Sequence, residues 1–157
     1  MSSTTVPDAS VARATAGKGI DPRGPQVGAW LTSAALVAVL LLGTTTLGGA
    51  LLAGQTVVFA VGALAGVQRS PYAWLFRKLV RPRLAPPKEL EDPAPPRFAQ
   101  AVGLVFGALG LIGFAIGAAP LALGATGLAL VAALLNAVFR FCLGCEFYLL
   151  VQRATAR

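Results

Sequence analysis

The chain contains no histidine. That absence excludes bis-histidine haem, histidine-ligated zinc or copper, and any histidine general base or proton relay. Cysteine is nearly absent too, with only Cys142 and Cys145 among 157 residues. Charge is scarce. Only 12% of the residues are Asp, Glu, Lys or Arg, against about 25% in soluble domains. The charge falls in short stretches, and long stretches carry none. A short apolar run behind a basic start, the mark of a cleaved signal peptide, is missing as well. Residues 1–26 are polar and hold Pro, Gly, Ser and Thr, so the first apolar segment reads as an uncleaved span. Residues 1–19 read as a disordered cytoplasmic tail and 20–157 as one membrane domain.

What is present is apolar: 56% of the chain is hydrophobic. The apolar residues gather into four segments, 27–43, 48–67, 98–118 and 121–141. Each approaches the roughly 20 residues with which a helix crosses the hydrocarbon of a bilayer. The expected fold is an all-α membrane protein of four transmembrane helices.

The connectors set its direction. Residues 44–47 and 119–120 carry no charge. The middle connector, 69–97, holds Arg69, Arg77, Lys78, Arg81, Arg83, Lys88 and Arg97. Arg13, Lys18 and Arg23 precede the first span, and Arg153 and Arg157 follow the last. Basic loops stay in the cytoplasm, so both termini and the middle connector are expected there, in the inner (plasma) membrane. The net charge of +7 is then accounted for by lipid and topology, and no nucleic-acid partner is expected.

Within the middle connector, Tyr72, Leu75, Phe76, Leu79 and Val80 recur at helical spacing opposite Arg77, Lys78 and Arg81. The pattern predicts a short amphipathic helix on the inner leaflet, with Trp74 near the headgroups. Residues 85–96 (APPKELEDPAPP) are proline-rich and predict extended chain rather than continuous helix. The connector also suits docking of a cytosolic partner.

The two halves look alike. Asp21-Pro22 and Asp92-Pro93 precede spans one and three, 71 residues apart, and Arg69 and Arg140 share that offset. Each half then reads as an Asp-Pro turn, a helical hairpin and an arginine at the cytoplasmic edge. The two related hairpins would be parallel, with a pseudo-twofold axis along the membrane normal. An arginine at the bilayer centre would cost at least about 2.5 kcal/mol. Arg140 is therefore placed at the boundary, where it snorkels or pairs with Glu146. The fourth helix is expected to continue past it through Phe147 to Arg153.

Both cysteines stand in one C-x-x-C, Cys142-Leu143-Gly144-Cys145. On a helix, residues i and i+3 share a face with Cα atoms about 5–6 Å apart, within disulfide range. Arg140 favours a thiolate there. Glu146 opposes it or supplies a proton during exchange. Three readings stand: a redox-active or sulfur-handling dithiol, a metal site completed by Glu146 or a homodimer, and cysteines as small buried apolar residues. A permanent bridge is disfavoured in a reducing compartment. Gln55 and Asn136, polar within apolar runs, are expected to hydrogen-bond between helices. Gly103, Gly107, Gly110, Gly113 and Gly117 on span three would permit close packing, within the bundle or across a homodimer.

These residues carry a family resemblance. The Asp21-Pro22-Arg23 lead-in, Arg69-Ser70-Pro71 with the basic stretch to Arg83, Pro96-Arg97-Phe98-Ala99, and above all Phe141-Cys142-Leu143-Gly144-Cys145 resemble the bacterial, chiefly actinobacterial, membrane family catalogued as domain of unknown function 4395. The resemblance covers residues 20–153 and supplies no activity. Members of that family tend to occur beside thioredoxin-like and sulfurtransferase proteins, which implies thiol or sulfur chemistry.

The reading that follows is a membrane dithiol protein. Cys142, as nucleophile, and Cys145 would exchange electrons or sulfane sulfur with a thioredoxin-like or rhodanese-like partner. The sequence shows no haem ligands or flavin motif, so no cofactor is expected. Net electron transfer would call for a quinone or another subunit. The alternatives are a non-catalytic scaffold that holds a cytosolic partner through the connector, and an oligomeric transporter of a small solute.

Overall fold

The computed structural model describes residues 19–155. The tail expected to be disordered, apart from Gly19, lies outside the described residues. The protein is an all-α membrane protein. In chain order it forms α1 (Arg23–Leu42), α2 (Thr46–Leu64), α3 (Pro71–Leu75), α4 (Ala94–Ala115), α5 (Ala119–Phe139) and α6 (Leu143–Thr155). Helices α1, α2, α4 and α5 are long and apolar enough to cross a membrane, with 20, 19, 22 and 21 residues. At about 1.5 Å per residue each spans about 30 Å.

All four helices begin two to four residues before the apolar runs do. The Asp21 carboxylate accepts from the Arg23 N–H at 3.0 Å, and the Asp92 carboxylate from the Ala94 N–H at 2.9 Å. Each satisfies an amide that the first turn of a helix would leave unpaired. Pro22, Pro93, Pro95 and Pro96 fit such positions because they lack an N–H. Tight turns close the hairpins with Gly43 (φ 59°) and Gly117 (φ 71°) at positive φ, which a glycine adopts without steric cost. Thr45 then caps α2 through the Gly48 N–H at 3.2 Å.

The four spans form a closed ring in which α1 packs on α2, α2 on α4, α4 on α5 and α5 on α1. Leu36, Val39 and Leu52 are fully buried and meet Ala129 at the centre. Glycines on α4 let α2 and α5 approach. Gly103 faces Phe59, Gly107 faces Thr56, Gly110 faces Leu52, and Gly113 lies against the backbone of α5 at Ala122. This is the small-residue packing that apolar solvent demands, since lipid offers no hydrophobic drive between helices. Gln55 is buried on α2. Its amide donates to Thr32 Oγ1 at 3.4 Å and its carbonyl accepts from the Tyr72 hydroxyl at 2.6 Å. Leu41, Leu64 and Ile116 stay exposed on the outer surface, where lipid would cover them.

The connector helix is shorter than its pattern predicts. After α3 the chain passes through a π-helical turn, Phe76–Val80, and a 3-10 turn, Arg81–Arg83. Phe76 is buried beside Gly24, and Lys78 sits 5.7 Å from the Trp74 ring. Among the described residues there is no strand. One isolated antiparallel bridge joins Ile20 to Glu91, each N–H donating to the other's carbonyl at 2.9 Å. These two residues are also 71 apart.

One expectation is overturned. The fourth helix does not run on through Phe147 to Arg153. It ends at Phe139, and Arg140 takes a left-handed conformation (φ 55°), the only non-glycine among the described residues with positive φ. Arg140 donates its N–H to the Asn136 carbonyl and Phe141 donates to the Leu135 carbonyl, at 3.1 and 3.2 Å. The chain then turns back as α6 along the start of α4. Gly144 permits this, because its backbone lies so close to Ala99 that a Cβ would stand 2.6 Å from the Ala99 Cα. The Tyr148 ring rests 5.7 Å from Phe98.

A dithiol at a helix N-terminus, on the rim of a cavity

Cys142 immediately precedes α6 and Cys145 lies in its first turn. The first backbone bond of that turn runs from the Glu146 N–H to the Cys142 carbonyl at 3.0 Å. The Cys145 N–H points at Cys142 Sγ, 3.3 Å away. Cys142 therefore takes the position where Ser, Thr, Asp or Asn usually cap a helix. Ser70 holds the same place before α3, accepting from the Ala73 N–H at 3.2 Å. The cysteine Cα atoms are 5.2 Å apart and the two sulfurs are joined as a disulfide. The pair thus shares a helix N-terminus rather than the flank of a continuous helix. There the amide dipoles and unpaired N–H groups favour negative charge on Cys142 once it is reduced.

Arg140 and Glu146 flank the pair, but they do not pair with each other. The only ion pair among the described residues is Arg23 with Asp21, Nε to Oδ1 at 3.0 Å. The left-handed turn at Arg140 separates it from the helix that carries Glu146, and both side chains are exposed. No group of three or more metal-ligating side chains occurs among the described residues.

The dithiol lies on the rim of a half-open cavity of about 980 Å³ lined mainly by α1, α4, α5 and the start of α6. Its apolar lining includes Phe59, which is buried, Phe106, and Leu128 and Val131, which are exposed. Arg23, Gln26, Gln100, Asn136, Arg140 and Glu146 supply its polar groups. Gln26 bridges the near ends of α1 and α5, donating to the Ala137 carbonyl at 3.2 Å. Arg23 fixes the connector above them through the Ala85 carbonyl at 2.9 Å. Burial pushes the Asp21 carboxyl up, but hydrogen bonds and charge from Arg23, with Arg81 adding to them, hold it below its usual range. Arg97 caps the far side of this end, donating to the Ala63 and Leu64 carbonyls at the close of α2 at 2.6 and 2.9 Å.

Of the residues singled out from sequence, Cys142, Cys145, Arg140, Glu146 and Asn136 all line this one cavity. Gln55 makes the interhelical bonds expected of it, whereas Asn136 makes no side-chain bond to a neighbouring helix and faces the cavity. Gln26 and Gln100 were missed. Gln100 carried a readable signal, being a lone carboxamide near the start of an apolar run, like Gln55. Its Oε1 is buried and has no hydrogen-bond partner among the described residues.

Residues 20–153 match the family model described as Domain of unknown function (DUF4395). No curated protein and no solved structure matches the chain.

Proposed function

Since the chain belongs to the DUF4395 family over residues 20–153, a family whose description names no activity, we propose from its geometry that it is a membrane-embedded dithiol–disulfide exchange protein. The observation that carries this reading is the position of Cys142 as the N-cap of α6, with the Cys145 N–H on its sulfur. A capping sulfur gains most from the helix N-terminus when it is a thiolate, the form that attacks disulfides. In the exchange, the Cys142 thiolate of the reduced pair attacks a partner disulfide and forms a mixed disulfide. Cys145 then attacks Cys142, expels the partner thiolate and closes the bridge. The reverse sequence reduces the bridge again. The reacting partner has thioredoxin-like or rhodanese-like chemistry.

The dithiol end is also the end that carries Arg23, the basic connector and Arg97, so the positive-inside rule supports a cytoplasmic position for it. A reducing compartment suits a bridge that opens and closes.

The test is trapping. With Cys145→Ser, the Cys142 thiol should attack a thioredoxin-like protein that lacks its resolving cysteine and carries its remaining one as a mixed disulfide with thionitrobenzoate, expelling thionitrobenzoate and holding the protein as a mixed disulfide that reductant releases. With Cys142→Ser the yield should fall steeply. Equal trapping by both variants, or none by either, would contradict the assignment.

A further inference from the structure

We propose that the cavity beneath the dithiol is the site of a lipid-soluble quinone, which takes the electron pair of Cys142 and Cys145. This rests on the exchange reading above and names the second substrate of the same site.

Three observations point to this occupant. The first is placement: both cysteines line a half-open cavity whose apolar lining includes the buried Phe59 and the exposed Leu128 and Val131. A group able to meet them from that side must be soluble in the membrane. At about 980 Å³ the volume sits at the upper end of ordinary ligand pockets, about 300–1,000 Å³, which suits a ring with part of an isoprenoid tail.

The second is the chemistry of the polar lining. Quinone carbonyls accept hydrogen bonds, whereas quinol hydroxyls donate them. A carboxamide serves both forms, because it carries a donor and an acceptor. Gln100 and Asn136 are carboxamides on two different walls. The Gln100 oxygen itself is buried against Gly62 of α2, and Asn136 is the carboxamide that makes no side-chain hydrogen bond to a neighbouring helix among the described residues.

The third is a comparison of the halves. Ser70 and Cys142 cap α3 and α6 in the same way. Two residues on, the Tyr72 side chain lies over Gly28 of α1, and Gly144 lies over Ala99 of α4. Gly28 and Ala99 are 71 apart. Tyr72 therefore fills the first half with a phenol ring anchored to Gln55, and the cavity beside it is about 310 Å³. In the second half a glycine stands where that ring would be, and the larger cavity opens beside the cysteines.

The step balances. Cys142 and Cys145 lose two electrons and two protons as the S–S bond forms. The quinone gains both, and its two carbonyls become hydroxyls. The partner dithiol then reduces the bridge and leaves as a disulfide.

The experiment uses the full chain in nanodiscs, reduced and freed of reductant under anaerobic conditions. Exchange with a soluble thioredoxin is measured first. Decylubiquinone is then added, and quinol formation and thiol loss are followed together. The expectation is one quinol per bridge formed. Ala132→Trp, which fills the cavity from α5, and Gln100→Leu should each slow the reaction by about tenfold or more. Leu41→Trp on the lipid-facing surface should react at the unaltered rate. Quinone left unreduced by a protein that exchanges with thioredoxin would overturn this site and leave the exchange reading standing. Failure of both reactions would overturn both. Equal quinol formation by the Ala132→Trp, Gln100→Leu and unaltered proteins would show reaction outside the cavity and overturn the site.

Discussion

Replacement of Arg140 tests the chain break that presents the dithiol. Arg140 has φ 55°, and a left-handed conformation costs an L-residue roughly 1–2 kcal/mol because its Cβ crowds the following carbonyl. Glycine does not incur this cost. Arg140→Gly should therefore stabilise the fold by about 1 kcal/mol, equivalent to about 2–4 °C in Tm for a domain of this size. Arg140→Ala removes the same charge but retains Cβ, so it should gain nothing. The difference between the two variants cancels any effect of the lost guanidinium. Had α5 continued unbroken into α6, the order would reverse, since mid-helix glycine costs about 1 kcal/mol relative to alanine. The assay is thermal unfolding in mixed micelles followed by circular dichroism. Stability falling in the order Ala, Arg, Gly would refute the break.

Other consequences can be measured directly. Gly144→Val forces a side chain onto the Ala99 backbone and should cost about 1–3 kcal/mol, with α6 becoming more susceptible to proteolysis than the spans. Gln55→Leu leaves the Tyr72 hydroxyl without its acceptor and should cost about 1–3 kcal/mol, read as a lowered Tm. Asp21 titrates below its usual range in the fold. Its contribution is therefore fully present above the ordinary aspartate range and is lost as pH falls through the folded value. Asp21→Asn should flatten the acid limb of a Tm–pH curve and leave its neutral region lower.

The spans were legible in the sequence because lipid imposes a coarse rule, length and apolarity, that single residues rarely disturb. The Asp-Pro pairs were legible as markers, and the structure shows their mechanism, a carboxylate on the first amide of each hairpin. The break after Phe139 was not legible. Residues 121–153 read as one helical run, and the reason for the turn lies elsewhere, in the fit of Gly144 against Ala99. The C-x-x-C spacing gave the correct Cα separation without its setting, since i and i+3 are neighbours both along a helix and across its first turn. The cavity was invisible for a similar reason. It depends on how α6 packs against α4 at Gly144 and Ala99, a relation between distant residues that no local pattern carries.

The central claim is that Cys142 and Cys145 open and close as a working pair. It is tested most directly by alkylation gel shift in intact cells, before an oxidant pulse, during it and after its removal. A working pair should be largely reduced and doubly labelled at rest, lose both labels together during the pulse, and regain them within minutes. Cys142→Ser should leave the remaining thiol labelled throughout. A pair whose labelling stays constant through all three stages would contradict the claim.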